Sequence, residues 1–346
     1  MKLVIFAGGI GTRLWPLSRE NSPKQFDKIF NGKSTLQLAV ERVKDDFDAK
    51  DIYIQTVGTY KSSVKEQIPD IADENIIIEP ERRNLGPAVC LTAVELNKRG
   101  YDGPMVILWA DHLMERPGEF IKALKYGEKL INKQEKRFVF LGERPRFANN
   151  NLGWMKIGKK AGGENGNSYF EFKGWKYKPS SKECNVLFKS DQAYWNPGYF
   201  ITSVNFLLDQ YKTLAPGIYD CVVNNRYGEA EPKHFDRVII EKVDLSSAIV
   251  IKTDMGWSDP GTLYALKEAL GKTKEDNVTL GEVELLDVAD SLVYNFEKNK
   301  IVTSIGVEGM VIVNTEDALI VVPKDEVVRV TDLVKQLRSK DKNQYL

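Results

Sequence analysis

His112 and His234 are the only histidines in 346 residues, and no Ser/His/Asp or Cys/His set can be built around them. Chemistry through an activated protein nucleophile therefore has little to draw on. Cysteine is as scarce: Cys90, Cys184 and Cys221 are odd in number, far apart and in no metal-type spacing. That excludes a disulfide framework and points to a reducing compartment. Net charge is missing too. Lys+Arg and Asp+Glu both number 49, so no whole-molecule field draws in a polyanion, and neither a nucleic acid nor an acidic membrane surface is expected as a partner. No apolar run approaches the ~18 residues of a membrane span, and Leu3-Val4-Ile5-Phe6-Ala7 is too short for a signal-peptide core. A soluble, cytoplasmic protein is expected, in which any anionic substrate is held by local chemistry.

What the chain does have is alternation. Short β-branched or aliphatic runs at Lys2–Phe6, Asp51–Val57, Asn75–Glu79, Met105–Trp109 and Arg137–Leu141 are separated by stretches of near-helical apolar spacing around Thr35–Lys44, Pro87–Lys98 and Phe120–Asn132. This predicts an α/β domain of Rossmann-like, three-layer α/β/α type, its sheet mixed but mostly parallel and covered by helices on both faces. Between Asn149 and Pro179 the composition turns to Gly, Asn and aromatic residues, with strand candidates Gly153–Ile157 and Ser168–Lys173; an inserted hairpin over the end of the sheet is expected. A further helix should open near Ser203, and a last α/β unit runs from about Ser247 to Leu270. The polar stretch Gly271–Asp276 reads as a linker, which puts a first domain at 1–270 and a second at 277–346. The second carries a series of short strand-like pieces, including Glu282–Leu286, Ser291–Tyr294, Ile301–Ser304, Met310–Val313 and Ala318–Val322, and an amphipathic helix near Thr331–Ser339.

The first strand runs into Ala7-Gly8-Gly9-Ile10-Gly11-Thr12-Arg13-Leu14. Residues without side chains let backbone N–H groups approach a phosphate chain or a base. Two familiar patterns fail here by one residue. A dinucleotide fingerprint counted from Gly9 finds Leu14 where its third glycine belongs, and a P-loop ending in Gly32-Lys33-Ser34 finds Asp27 where its first belongs. Ser34-x-x-Gln37 before an apolar helix reads better as a capping box. Arg13 and Lys24 follow the loop, a planar fork and a compact point charge suited to a triphosphate.

These residues carry a resemblance. Phe6-Ala7-Gly8-Gly9-x-Gly11-Thr12-Arg13-Leu14-Trp15-Pro16-Leu17-Ser18-Arg19 with Pro23-Lys24-Gln25-Phe26 resembles the signature of the mannose-1-phosphate guanylyltransferases, within the sugar nucleotidyltransferase superfamily. Asp111 and Asp259 each read equally well, by themselves, as caps of a following turn or helix. The resemblance implies more: Ala110-Asp111-His112 and Gly256-Trp257-Ser258-Asp259-x-Gly261 match the two segments whose aspartates hold Mg²⁺. It also implies nucleotide-side residues Ala7, Gly8, Gly9, Gly11, Thr12, Glu79 and Asn84, a sugar-phosphate grip at Lys178, and a sugar pocket around Asn196 and Gly198. The tail resembles the family's short left-handed β-helix, with Asn314-Thr315-x-Asp317-Ala318-Leu319 its clearest piece. A homodimer follows from the same resemblance.

The implied reaction joins GTP to a hexose 1-phosphate, with mannose 1-phosphate preferred, and releases pyrophosphate. A sugar phosphate is already an anion at neutral pH and needs screening and alignment more than a general base. This chain departs from the family on the sugar side. Trp109 stands for a usual Pro, Pro197 for a usual Ser, and Tyr177 for a usual Glu; a phenol replaces a carboxylate that accepts sugar hydroxyls. The expectation is retained nucleotidyl transfer with an open choice of hexose. Rival readings are transfer from UTP or dTTP, a regulatory paralogue that binds without turnover, and a nicotinamide-dependent oxidoreductase, which Leu14 disfavours. The chain has no room for the additional isomerase domain of some relatives, so one activity is expected.

Overall fold

The computed structural model describes residues 1–9, 11–19, 24–27, 32–164, 166–177, 179–271 and 273–346, and of Thr12 the backbone alone. Contacts group the chain into two compact units. Met1–Gly8, Val40–Ala110 and Met114–Trp257 make the first; Gly9–Ala39, Asp111–Leu113 and Ser258–Leu346 make the second.

In the first unit β1 (Lys2–Phe6), β2 (Ile52–Val57), β3 (Ile76–Glu79) and β4 (Pro104–Trp109) form a parallel block ordered β3-β2-β1-β4. Val4 stands opposite both Tyr53 and Ile107. The strands are apolar without alternation because both faces are covered; Leu3, Val4 and Ile5 are fully buried. Beyond β4 the sheet turns antiparallel through Phe200–Ser203, which also pairs with Phe138–Glu143. Ala248–Thr253 then runs parallel to Phe138–Glu143, with Ile249 opposite Val139, so the sheet is mixed as expected. The helix Pro117–Lys133 buries Phe120, Leu124 and Leu130. It comes close to the strand Phe200–Ser203 because Gly127 has no side chain: a Cβ there would stand 2.2 Å from Ile201 Cδ1.

Two differences from the sequence reading have clear causes. The hairpin is longer, Gly153–Glu164 with Asn167–Tyr177, and it is hydrogen-bonded into the sheet through Ala193–Trp195 and Ala248–Thr253. Its Trp154, Met155, Ile157 and Phe172 are buried, which a flap over the sheet would leave exposed. An unexpected helix, Ser181–Lys189, is polar but opens on a capping box: Glu183 N–H donates to Ser180 Oγ at 3.3 Å, and Ser180 N–H donates to the Glu183 carboxylate at 2.9 Å.

The second unit is built on stacked strands. Val278–Leu280, Leu292–Asn295 and Met310–Asn314 pair in parallel, and Val283–Leu286 pairs in parallel with Val302–Ile305. Leu292 stands opposite Val311 and Val283 opposite Val302, a coil of 19 residues (311 − 292; 302 − 283), whereas Val278 stands opposite Leu292 only 14 residues on (292 − 278). Asn314 Nδ2 donates to Asn295 Oδ1 at 2.8 Å, one rung to the next. Leu319–Pro323 breaks the coil by running antiparallel, because Thr315 N–H donates to Ala318 O and closes a tight turn. Deep in this unit Asp290 accepts from Lys267 Nζ, Lys324 Nζ and Tyr264 Oη at 2.6, 2.6 and 2.7 Å. Ser34 and Gln37 form the expected reciprocal cap of Thr35–Lys44.

Candidate functional site

The second unit holds the glycine loop from Gly9 onward, both cations and both aspartates. Gly11 has φ +72°, a conformation that favours glycine, and a Cβ there would meet Lys24 Cβ at 3.1 Å and Ser18 Oγ at 3.3 Å. The Ser18 hydroxyl donates to Gly11 O, and Gln25 Nε2 donates to Gly9 O at 2.9 Å. The segment after the loop is thus packed onto its carbonyls. Thr12–Leu14 is a single 3₁₀ turn with the Arg13 side chain exposed.

Lys24 is only 4 % exposed and places Nζ 3.3 Å from Asp111 Oδ2. Burial alone would raise the Asp111 carboxyl. Lys24, His112 and Arg13 outweigh it and hold the group at about 2, so it is ionised at any physiological pH. Asp259 is partly buried, and its Oδ1 would lie 3.0 Å from a Cβ on Gly261; Arg13 Nη1 would lie 3.3 Å from the same point. Arg13 therefore acts electrostatically on Asp111 and approaches the backbone beside Asp259. Neither aspartate is a helix cap: Thr262 Oγ1 caps Leu263–Leu270 by accepting from Ala265 N–H. Among the described residues no group of three or more His, Cys, Asp and Glu side chains gathers. Hard carboxylate oxygens from two residues nonetheless suit Mg²⁺, which takes one or two carboxylates and completes its shell with phosphate oxygens and water.

The first unit holds the other predicted residues. Ala7 and Gly8 leave β1; Ala7 N–H donates to Gln55 O at 2.8 Å, and Thr56 Oγ1 donates to Ala7 O at 2.9 Å. Glu79, 6 % exposed at the end of β3, accepts from Arg83 N–H at 2.9 Å, Tyr227 Oη at 2.7 Å and Gln55 Nε2 at 3.4 Å. Gly8 lies close by, a Cβ there meeting Glu79 Oε2 at 3.7 Å. Burial first and the Glu79 carboxylate second push the Tyr227 hydroxyl well up, which keeps it a donor. Asn84 precedes the helix Leu85–Lys98 at φ +61° and donates from Nδ2 to Pro232 O.

Of the residues expected on the sugar side, Tyr177 and Asn196 line one small cleft of about 20 Å³ with Gly153, Trp175, Asp236 and Ile240. Asn196 Oδ1 accepts from Gly198 N–H at 2.8 Å, and Gly198 sits at φ +77° with its carbonyl accepting from Trp109 Nε1 at 3.1 Å. Tyr177 is 63 % exposed, with the Arg237 guanidinium 5.8 Å from its ring centre. Lys178 lies outside the described residues.

Two carboxylates escaped the sequence reading. Asp236 lines the cleft, and burial raises its carboxyl; its place between Phe235 and Val238 offered only a charge in an apolar stretch. Glu143 is fully buried and accepts from Thr253 Oγ1, Met255 N–H and Trp257 N–H at 3.1, 2.9 and 3.1 Å. A carboxylate ending the apolar run Phe138–Gly142 was its available signal.

Comparison with known proteins identifies the family and the fold. The nucleotidyl transferase family model matches residues 2–276, and the MannoseP isomerase/GMP-like beta-helix domain matches residues 281–337. A mannose-1-phosphate guanylyltransferase of Salmonella muenchen is 32% identical over 99% of this chain and 74% of its own length. Mannose-1-phosphate guanylyltransferase 2 of Escherichia coli O157:H7 is 29% identical over the same shares. A crystal structure described as mannose-1-phosphate geranyltransferase from Thermus thermophilus superposes with a TM-score of 0.85 at 26% identity, covering 97% of this chain and 99% of that one. An enzyme chain with this fold, this loop and these relatives belongs to the mannose-1-phosphate guanylyltransferase family of nucleotidyl transferases.

Proposed function

We propose that this enzyme transfers GMP from GTP to mannose 1-phosphate, giving GDP-mannose and pyrophosphate. One observation carries the reading: Arg13, Lys24, Asp111 and Asp259 belong to one compact unit with the glycine loop from Gly9 onward, and Asp111 is kept ionised by the cations around it. Gly8, Gly9, Gly11 and Thr12 offer backbone N–H groups to the triphosphate, Arg13 and Lys24 neutralise it, and Lys178 grips the sugar phosphate. Glu79 and Asn84 serve the guanine side; Asn196, Gly198 and Tyr177 serve the sugar. Asp111 and Asp259 would hold Mg²⁺, which when bound supplies positive charge to phosphate oxygens. The chain's own contribution is alignment and charge, so that the sugar phosphate oxygen attacks the α-phosphorus in line and pyrophosphate leaves.

Trp109 and Tyr177 favour a second reading on the sugar alone. An indole donating to Gly198 O and an uncharged phenol change the hydroxyl-reading groups, and a site that reads one hydroxyl can reject an analogue by ~10⁴ or more. A cytoplasmic homodimer completes the proposal. No helix among the described residues is long and apolar enough to cross a membrane, and Leu319 and Val321 expose apolar surface on the outer strand of the tail sheet. The test is pyrophosphate release with Mg²⁺ over a grid of GTP, ATP, UTP and dTTP against mannose, glucose, galactose and heptose 1-phosphates. GTP with mannose 1-phosphate should dominate. Dominance of another sugar would remove the mannose assignment, dominance of another base would remove guanine, and release with no pair would remove the reaction.

A further inference from the structure

The turn that presents Arg13 has almost no structure of its own. Thr12–Leu14 is three residues long and is closed by Leu14 N–H to Gly11 O at 2.9 Å and Leu17 N–H to Leu14 O at 2.8 Å. A segment held by so few local bonds opens at little cost unless something else fixes it. Beside the local bonds of Ser18 to Gly11 O and Gln25 to Gly9 O, fixing contacts come from residues some three hundred positions away, within the same compact unit. Leu14 and Trp15, 1 % and 7 % exposed, are buried in one apolar cluster with Val327, Val330 and Val334. Trp15 Nε1 donates to Tyr345 O at 2.7 Å. Arg19 places its guanidinium 5.5 Å from the Trp15 ring centre and donates to Asp317 Oδ1 at 2.6 Å. Arg13 is thus followed by Leu14, Trp15 and Arg19, each of which is held against the tail, Leu14 and Trp15 sharing their cluster with Leu263 and Leu266 as well.

We infer that the tail is a positioning device for the nucleotide loop, in which Asp317 and the 343–346 segment hold Arg13 at the working geometry and are in turn ordered when a triphosphate binds. The reciprocity is required by linkage. If an ordered tail makes the loop bind better, a bound triphosphate must order the tail by the same factor. Neither Asp317 nor Tyr345 needs to touch substrate; each acts through Arg19 or Trp15 on the backbone that carries Arg13. The inference rests on the guanylyltransferase reading for the ligand, GTP.

The experiment uses the full chain. Wild-type turnover of GTP and mannose 1-phosphate is measured first, and its absence with every triphosphate would remove the functional reading and not this one. Hydrogen–deuterium exchange of residues 330–346 is then followed with and without GTP and Mg²⁺, and kinetics are taken for Asp317→Asn, Asp317→Glu and a chain ending at 342. We expect GTP to slow exchange in 330–346 several-fold in the wild type. Asp317→Asn should lower kcat roughly tenfold, the loss expected of a misplaced charge, with KM for mannose 1-phosphate unchanged, and Asp317→Glu should recover most of it. A shortened chain that still folds should lose activity in the same pattern. Should it fail to fold, exchange in the wild type and the Asp317 pair decide. Unchanged exchange together with full kcat in Asp317→Asn would overturn the inference.

Discussion

Gly261 offers a sharp way to disturb the site without disturbing the fold. Its φ lies outside the glycine-favouring region, so alanine fits the backbone. The new methyl group would stand 3.0 Å from Asp259 Oδ1 and 3.3 Å from Arg13 Nη1. Ordinary contact begins near 3.4 Å, so the carboxylate must retreat by 0.4 Å (3.4 − 3.0) and the guanidinium by 0.1 Å (3.4 − 3.3). A misplacement of about 1 Å costs on the order of 10² in rate, so about 0.4 Å at the proposed Mg²⁺ ligand Asp259 should cost roughly five- to tenfold, or about 1 to 1.4 kcal/mol of barrier. Gly261→Ala should therefore lower kcat for pyrophosphate release by about that factor and raise the Mg²⁺ concentration needed for half activity. Its melting temperature should stay close to that of the wild type. Full kcat with an unchanged Mg²⁺ requirement would refute the placement of Asp259 and Arg13 at the reacting phosphates.

Three further outcomes are expected. Asp111→Asn should lower turnover by about two to three powers of ten in the same assay, as loss of a preorganised charge does; full Mg²⁺-dependent activity would exclude Asp111 as a ligand. Asp290→Ala leaves the buried Lys267 ammonium without its carboxylate and should destabilise by about 3–5 kcal/mol on thermal or denaturant unfolding. Burial opposes ionisation of Asp290, but Lys267, Lys324 and Tyr264 hold it at about 2, below its ordinary 3.8. A depressed carboxyl contributes stability above its unfolded value and loses it as pH falls through the folded one, so wild-type stability should decline between about pH 4 and 2 by a component that the variant lacks. Tyr177→Glu, which restores the carboxylate usual in the family, should shift the ratio of kcat/KM for mannose over glucose 1-phosphate; an unchanged ratio would take Tyr177 out of sugar selection.

The strands and most helices were legible because apolar spacing is a local property. Lys2–Phe6 and Thr35–Lys44 form with the expected bounds, and the five tail strands each form within a residue or so of theirs. The glycine loop, Arg13 and Lys24 stood out in the sequence for a different reason: glycines and cations so close together suggest an anion site. What the sequence hid was long-range. That Trp15 and Arg19 fasten to Tyr345 and Asp317 leaves no periodic trace, since each contact involves single residues some three hundred positions apart. Glu143 and Asp236 were hidden for a related reason, because a buried carboxylate is recognisable only once its donors or its cleft are in view. The helix Ser181–Lys189 could have been found, since Ser180-x-x-Glu183 is a capping box; its polar composition argued against a packed element.

On this reading the protein aligns two phosphates and takes no covalent part in the reaction. The stereochemical course at the α-phosphorus tests that most directly, using GTP with one sulfur on that phosphorus, mannose 1-phosphate and the wild-type enzyme, with the product read by ³¹P resonance. A single in-line displacement predicts inversion. Retention would require a nucleotidylated side chain between two displacements, and would contradict a site whose named residues act only by position and charge.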